Sequence, residues 1–134
     1  MADNKVFSLR IITPDRHFYE GEVEMVEFNT TEGQIGVLPG HIPMTVILKP
    51  GILKIYEPEN EKEAALHSGF AEILPTGITI LAEIVEWPEE IDVQRAESAR
   101  ERAEERLRTH APGIDVMRAE IALQKAMTRI SVLK

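Results

Sequence analysis

The sequence predicts a mainly β protein with an α-helical tail: an N-terminal β-sandwich followed by a C-terminal antiparallel two-helix hairpin. Three observations carry that expectation. Short apolar segments of strand character, separated by turn residues at intervals of about 8–12 positions, fill the first two thirds of the chain. Seven of the eight prolines and seven of the eight glycines precede residue 89. Beyond it, alanine, arginine and glutamate dominate, with apolar residues at helical spacing. The expected domains are residues 1–88, a β-sandwich, and residues 89–134, a helical hairpin.

Residues 6–12 make the first strand, which ends in a turn at 13–16 where Pro14 pre-sets one backbone dihedral. Residues 22–28 alternate, with Val23, Met25 and either Phe28 or Val26 as candidates for the buried face. The alternation shifts near the end of that segment, which suits a bulge or a strand crossing into a second sheet. Further strands are expected at 34–38, 44–48, 51–56, 64–68, 70–74 and 78–83. No helical period of useful length precedes residue 88. The glycine-rich stretch 30–41 fits neither a P-loop nor a dinucleotide fingerprint: no Gly-Lys-Ser/Thr follows it, and no helix begins there. It reads as a pair of tight turns joined by a strand, or as an exposed recognition loop at one end of the sandwich.

The tail contains a repeat. Residues 91–97 recur at 114–120, 23 positions on, and differ only at Gln94 against Met117. Asp92 and Asp115 stand where a helix N-cap belongs, accepting backbone N–H groups that the first turn leaves orphaned. The first helix is expected over 93–108, stopped by the linker 109–113 with its Pro112 and Gly113, and the second from 116 to about 133. Val116, Ala119, Leu123, Ala126, Ile130 and Leu133 form an apolar stripe on the second helix, answered on the first by Val93, Ala96, Ala99, Ala103 and Leu107. Alanines allow close approach but remove little area from water, at about 25 cal/mol per Å². Such a hairpin holds weakly to itself and to its neighbours, which is the signature of a mobile element. Glutamates and arginines on the first helix read as a solvated face with i,i+4 ion pairs. Lys125 and Arg129 share one face and Arg95 and Arg102 another, so antiparallel closure can form a basic notch suited to a phosphate group, with surface solvation as the alternative.

Charge and composition exclude several functions. The net charge of −8 falls entirely in residues 1–88, with 14 acidic and 6 basic side chains, whereas residues 89–134 hold nine of each. An acidic first domain disfavours nucleic acid. The absence of cysteine excludes disulfides and thiol catalysis. No apolar run approaches the roughly 18 residues of a membrane span, and the N-terminus lacks a signal-peptide pattern, so a cytoplasmic protein is expected. His17, His41, His67 and His110 lack ligand-like spacing and read as solvated or hydrogen-bonded histidines. His67-Ser68-Gly69 lacks the preceding glycine and the strand-to-helix context of a nucleophile elbow. Neither an enzyme nor a metal site is expected.

Taken in order, Tyr19-Glu20-Gly21-Glu22-Val23, the run from Thr31 to His41, Pro50-Gly51, Ser68-Gly69-Phe70-Ala71-Glu72 and Thr79-Ile80-Leu81-Ala82-Glu83 resemble the sandwich motifs of the epsilon subunit of the bacterial F-type ATP synthase. The resemblance extends through the hairpin. One departure is Ser68-Gly69, where many members carry two glycines, harmless if the turn keeps one. The resemblance implies a non-catalytic rotor subunit whose partners are the gamma subunit, the c-ring and, with the hairpin extended, the catalytic alpha/beta head. It places Glu32, Gly33, Gln34 and His41 toward the c-ring, and gives Arg118, Lys125 and Arg129 the inhibitory contacts with beta. Ile91-Asp92-Val93-Gln94-Arg95-Ala96 matches the Ile/Leu-Asp-x-x-Arg-Ala motif of members that bind ATP. The remaining nucleotide positions fall on Glu86, Arg102, Lys125 and Arg129. Lys125 stands where strong binders usually have arginine, and loses the planar fork for bidentate phosphate contacts. No cofactor is required, and ATP is implied as a regulatory ligand. The location implied is peripheral, on the cytoplasmic face of the bacterial membrane and without direct insertion. The rival reading is an interaction module of the same shape in an unrelated assembly.

Overall fold

The structure, a computed structural model, describes residues 6–110 and 112–134. Strand β1 (Phe7–Ile12) turns through Thr13–Arg16, where Thr13 N–H donates to the Arg16 carbonyl at 2.9 Å, into β2 (His17–Val23). At Glu24 the chain leaves that sheet, and β3 (Met25–Thr30) begins in the other. The alternating segment 22–28 is therefore the end of one strand and the start of the next. The crossing changes the parity, so Val23, Val26 and Phe28 all point inward while Met25 is only half-buried. β4 (Gly33–Val37) returns beside β3 through a turn closed by Thr30, whose hydroxyl donates to the Gly33 carbonyl at 2.7 Å and accepts Glu32 N–H at 3.0 Å.

The remaining strands are β5 (Met44–Leu48), β6 (Gly51–Glu57), β7 (Asn60–Leu66), β8 (Gly69–Leu74), β9 (Gly77–Ala82) and the two-residue β10 (Val85–Glu86). β7 starts four residues earlier than expected and ends two earlier. Its first half, Asn60 to Glu63, is polar and pairs with Lys54–Glu57 across a hairpin, so no apolar alternation announces it.

Two layers result, β5-β8-β9-β1-β2 and β10-β7-β6-β3-β4, with β1 and β9 paired in parallel. One bridge, Thr30 to Leu48, joins the layers at one edge. At the other, the Tyr19 hydroxyl of β2 donates to the Glu57 carboxylate of β6 at 2.5 Å. Between the layers lie Leu9, Ile11, Phe28, Leu53, Ile55, Leu66, Ile73 and Ile80, all without solvent contact. The turn before β8 keeps the one glycine it needs. Gly69 has φ +142°, and a Cβ there would fall 2.0 Å from the Leu81 carbonyl oxygen, whereas Ser68 is accommodated and bonds to Glu83.

After β10, a 3-10 turn at Pro88–Glu90 leads into α1 (Val93–Thr109) and α2 (Val116–Val132). Asp92 and Asp115 cap them, accepting the N–H of Arg95 at 3.1 Å and of Arg118 at 3.0 Å. His110, in the left-handed region at φ 48°, ends α1. Ala96, Ala103, Ala119 and Ala126 are buried, whereas Val93 and Val116, at the starts of the two stripes, stay exposed. The helix-surface ion pairs are i,i+3, Glu97 with Arg100 at 3.0 Å and Glu105 with Arg108, not the expected i,i+4. α2 lies on β6 and β7, where Val132 meets Ala65 and Ile91 in a second, small core flanked by Ile52 and Leu133. The hairpin is folded down on the sandwich.

Candidate functional site

The contact between hairpin and sandwich centres on Glu86 at the end of β10. Its Oε1 accepts a hydrogen bond from Arg129 Nε of α2 at 2.7 Å and another from His67 Nε2 at 3.2 Å. His67 follows β7 and is fully buried. Because a carboxylate only accepts, the imidazole proton sits on Nε2, which leaves Nδ1 bare. That atom is buried with no hydrogen-bond partner among the described residues. Burial, and next the positive charge of Arg129, push His67 down to about 4 against the opposing pull of Glu86, with Lys125 adding to the depression. The ring is neutral at physiological pH.

Of the residues expected to hold a nucleotide, the structure joins Glu86 and Arg129 directly and leaves Lys125 half-buried beside them. Ile91 and Ala96 are buried, Ile91 in the small core under α2. Asp92 caps α1, while Arg95 and Arg102 are exposed and make no side-chain bond to Glu86, Lys125 or Arg129 among the described residues. Arg118 is exposed, its N–H given to Asp115.

A second attachment lies just upstream. Arg16 grips Glu90 with both terminal guanidinium nitrogens, Nη1 and Nη2, at 2.8 Å, and Trp87 N–H donates to the same carboxylate at 2.9 Å. Arg16 holds the Glu90 carboxyl below its ordinary range. Trp87 stacks on Phe18 with ring centroids 4.3 Å apart. Sequence reasoning missed both His67 and Arg16 as attachment residues. Each stands alone in a short segment, and its partner lies 19 and 74 residues away, so no local pattern marks it.

Glu32, Gly33 and Gln34 are exposed and His41 is half-buried, and Gln34 lines a cleft shared with Met127, Thr128 and Ser131 of α2. Glu32 and His41 share a cleft of about 380 Å³ with Ile35, Met44 and Ile47. The stretch 30–41 is thus a strand between turns that also presents an exposed loop, with Leu38 and Ile42 projecting into solvent. On the outer face of the β5-β8-β9-β1-β2 layer, strand register aligns Ile47, Phe70, Leu81 and Ile12 in one apolar row. Together with Pro14 this row lines a groove of about 690 Å³. Among the described residues no cluster of three potential metal ligands occurs. Among the same residues no helix is long and apolar enough to cross a membrane.

Residues 6–88 match the family described as ATP synthase, Delta/Epsilon chain, beta-sandwich domain, and residues 89–134 its long alpha-helix domain. The ATP synthase epsilon chain of Caldanaerobacter subterraneus subsp. tengcongensis is 46% identical over 130 residues, covering 96% of this chain and 94% of that one. That of Clostridium kluyveri is 46% identical over 131 residues, covering 97% and 98%. Among solved structures, a chain of the Euglena gracilis mitochondrial ATP synthase OSCP/F1/c-ring assembly superposes with a TM-score of 0.85 at 23% identity, over all of this chain and 85% of that one, and so shares the fold. With both family domains matched in order and close bacterial relatives aligned nearly end to end, the chain belongs to the ATP synthase delta/epsilon family, as an epsilon subunit, a non-catalytic part of the central stalk.

Proposed function

We propose that this subunit couples gamma to the c-ring through its sandwich and restrains ATP hydrolysis through a hairpin that leaves the sandwich, with ATP favouring the docked form. The observation that carries the reading is the hairpin's attachment: alanine-lined helices held down by one small core and by the Arg129–Glu86 pair. The apolar row Ile12, Ile47, Phe70 and Leu81 supports gamma docking, since it gives a sheet face an exposed apolar groove of the kind found at the centre of protein interfaces. The exposed Glu32, Gly33 and Gln34 and the adjacent His41 support contact with the c-ring. The subunit then sits peripherally at the cytoplasmic face of the bacterial membrane.

In the extended state Arg118, Lys125 and Arg129 meet acidic segments of beta. In the docked state Arg129 is engaged by Glu86 and withheld from that role. ATP binds the docked form through Glu86, Ile91, Asp92, Arg95, Ala96, Arg102, Lys125 and Arg129, stabilising it by RT ln(1 + [ATP]/Kd). The exposure of Arg95 and Arg102 supports this, because both are available to phosphate.

Deletion of residues 89–134 tests the inhibitory arm. Inhibition of the reconstituted enzyme disappears while rotor assembly persists, and inhibition that survives the deletion overturns the reading. Calorimetric titration with ATP tests the ligand. One-to-one binding is expected in the intact chain and lost in Asp92→Ala with Arg95→Ala, and no binding at millimolar ATP leaves Asp92 a helix cap alone.

A further inference from the structure

We propose that His67 makes docking of the hairpin proton-dependent: the imidazole, enclosed where α2 meets β7 and β10, must be neutral for α2 to lie down and accepts a proton once α2 lifts. The proposal rests on the detachable-hairpin reading above and adds to it a chemical signal.

The geometry supplies the argument. His67 has given its only proton to Glu86, and its Nδ1 faces no acceptor among the described residues. A second proton would have to sit on that atom, buried and unpaired. The charged groups acting on the ring are Glu86 from β10 and Arg129 and Lys125 from α2. On β6, the residues at this end of its pairing with β7 are Gly51 and Ile52, opposite Leu66 and Ala65, and neither carries a charge. One carboxylate, already bound to Arg129, therefore faces two cations, and an imidazolium would make a third. A buried imidazolium that shares its one carboxylate with Arg129 and holds a second N–H without an acceptor is costly.

Undocking reverses each of these conditions. Arg129 and Lys125 depart with α2, and water reaches the ring, so His67 returns toward its ordinary value of about 6.5. In the docked state it is held at about 4. The undocked state thus binds the proton more tightly, and acid favours release. Docking is at full strength above the undocked value and is lost progressively as pH falls toward the docked one. With those two values, the docked-to-undocked ratio falls roughly 30-fold between about pH 7.5 and 5.0.

The chain lacks cysteine, so Glu59→Cys and Glu120→Cys provide two labelling sites for energy transfer, one on the β6–β7 turn and one on α2. In the full chain the docked-to-undocked ratio should drop by that factor on acidification, and His67→Gln should flatten the response. An equal drop in His67→Gln overturns the proposal. Arg129→Glu, which sets a second carboxylate against Glu86, should open the hairpin at every pH. If it does so while the parent chain docks independently of pH, proton coupling fails and the mobile arm stands. If it stays closed throughout, the mobile arm itself fails. Should His67→Gln not fold, nuclear magnetic resonance titration of the His67 ring in the unsubstituted chain decides the question. A midpoint well below 6.5 supports the coupling, and an ordinary midpoint in the docked chain overturns it.

Discussion

The sandwich and the hairpin are built from different materials. Eight large aliphatic or aromatic side chains fill the space between the sheets without solvent contact, whereas the buried apolar residues of the two helices are four alanines and Val132. The first arrangement cannot be opened without exposing hundreds of Å² of apolar surface, each costing about 25 cal/mol. The second gives up one small core around Ile91 and Val132 and a handful of polar contacts. On the proposed reading, in which the sandwich stays on the rotor while the hairpin leaves it, this division lets the arm go without disturbing the body.

That contrast can be broken or sharpened by substitution. Phe28→Ala should have the largest effect, about 3–5 kcal/mol, by emptying the sandwich core. Chemical denaturation reads it, and a loss confined to the helices would contradict the division drawn here. Gly69→Ala forces a Cβ onto the Leu81 carbonyl in a backbone region that side chains avoid, and should cost about 3 kcal/mol, again in the sandwich. Arg129→Ala should act elsewhere. It removes a partly buried charged hydrogen bond and leaves Glu86 with His67 alone, for about 2 kcal/mol. Amide exchange should accelerate along α2 while β8 and β9 keep their protection. Asp92→Ala should cost about 1 kcal/mol as a lost cap, visible as faster exchange in the first turn of α1. Asp92→Asn restores the cap, so any ATP binding it fails to restore belongs to the carboxylate's charge.

Much of the fold was legible because period and punctuation agree. Asp92, Asp115 and the Pro112-Gly113 pair bracket the helices so closely that both begin where expected, with ends within about a residue. The strands with regular apolar alternation stand out for the same reason. What stayed hidden carries no periodic signal: the polar half of β7 and the two residues of β10. The crossing into a second sheet was legible as a shift in alternation near the end of 22–28, but it falls earlier, at Glu24. The site was harder. Motif resemblance singled out Glu86 and Arg129, 43 residues apart, but the histidine that shares their contact is visible only once α2 is laid across β7. A single histidine between apolar and small residues says nothing of a partner contributed by a distant helix.

The grip of Arg16 on Glu90 has a mechanical consequence. It clamps the chain immediately before the hairpin, so the fulcrum of any swinging arm lies at Ile91 and Asp92, and the ten-stranded body acts as a rigid shoulder. Straightened into helix, residues 93–134 would reach about 60 Å from that fulcrum. If the hairpin leaves the sandwich as proposed, loosening the clamp would add little length but would trade a stiff lever for a slack tether.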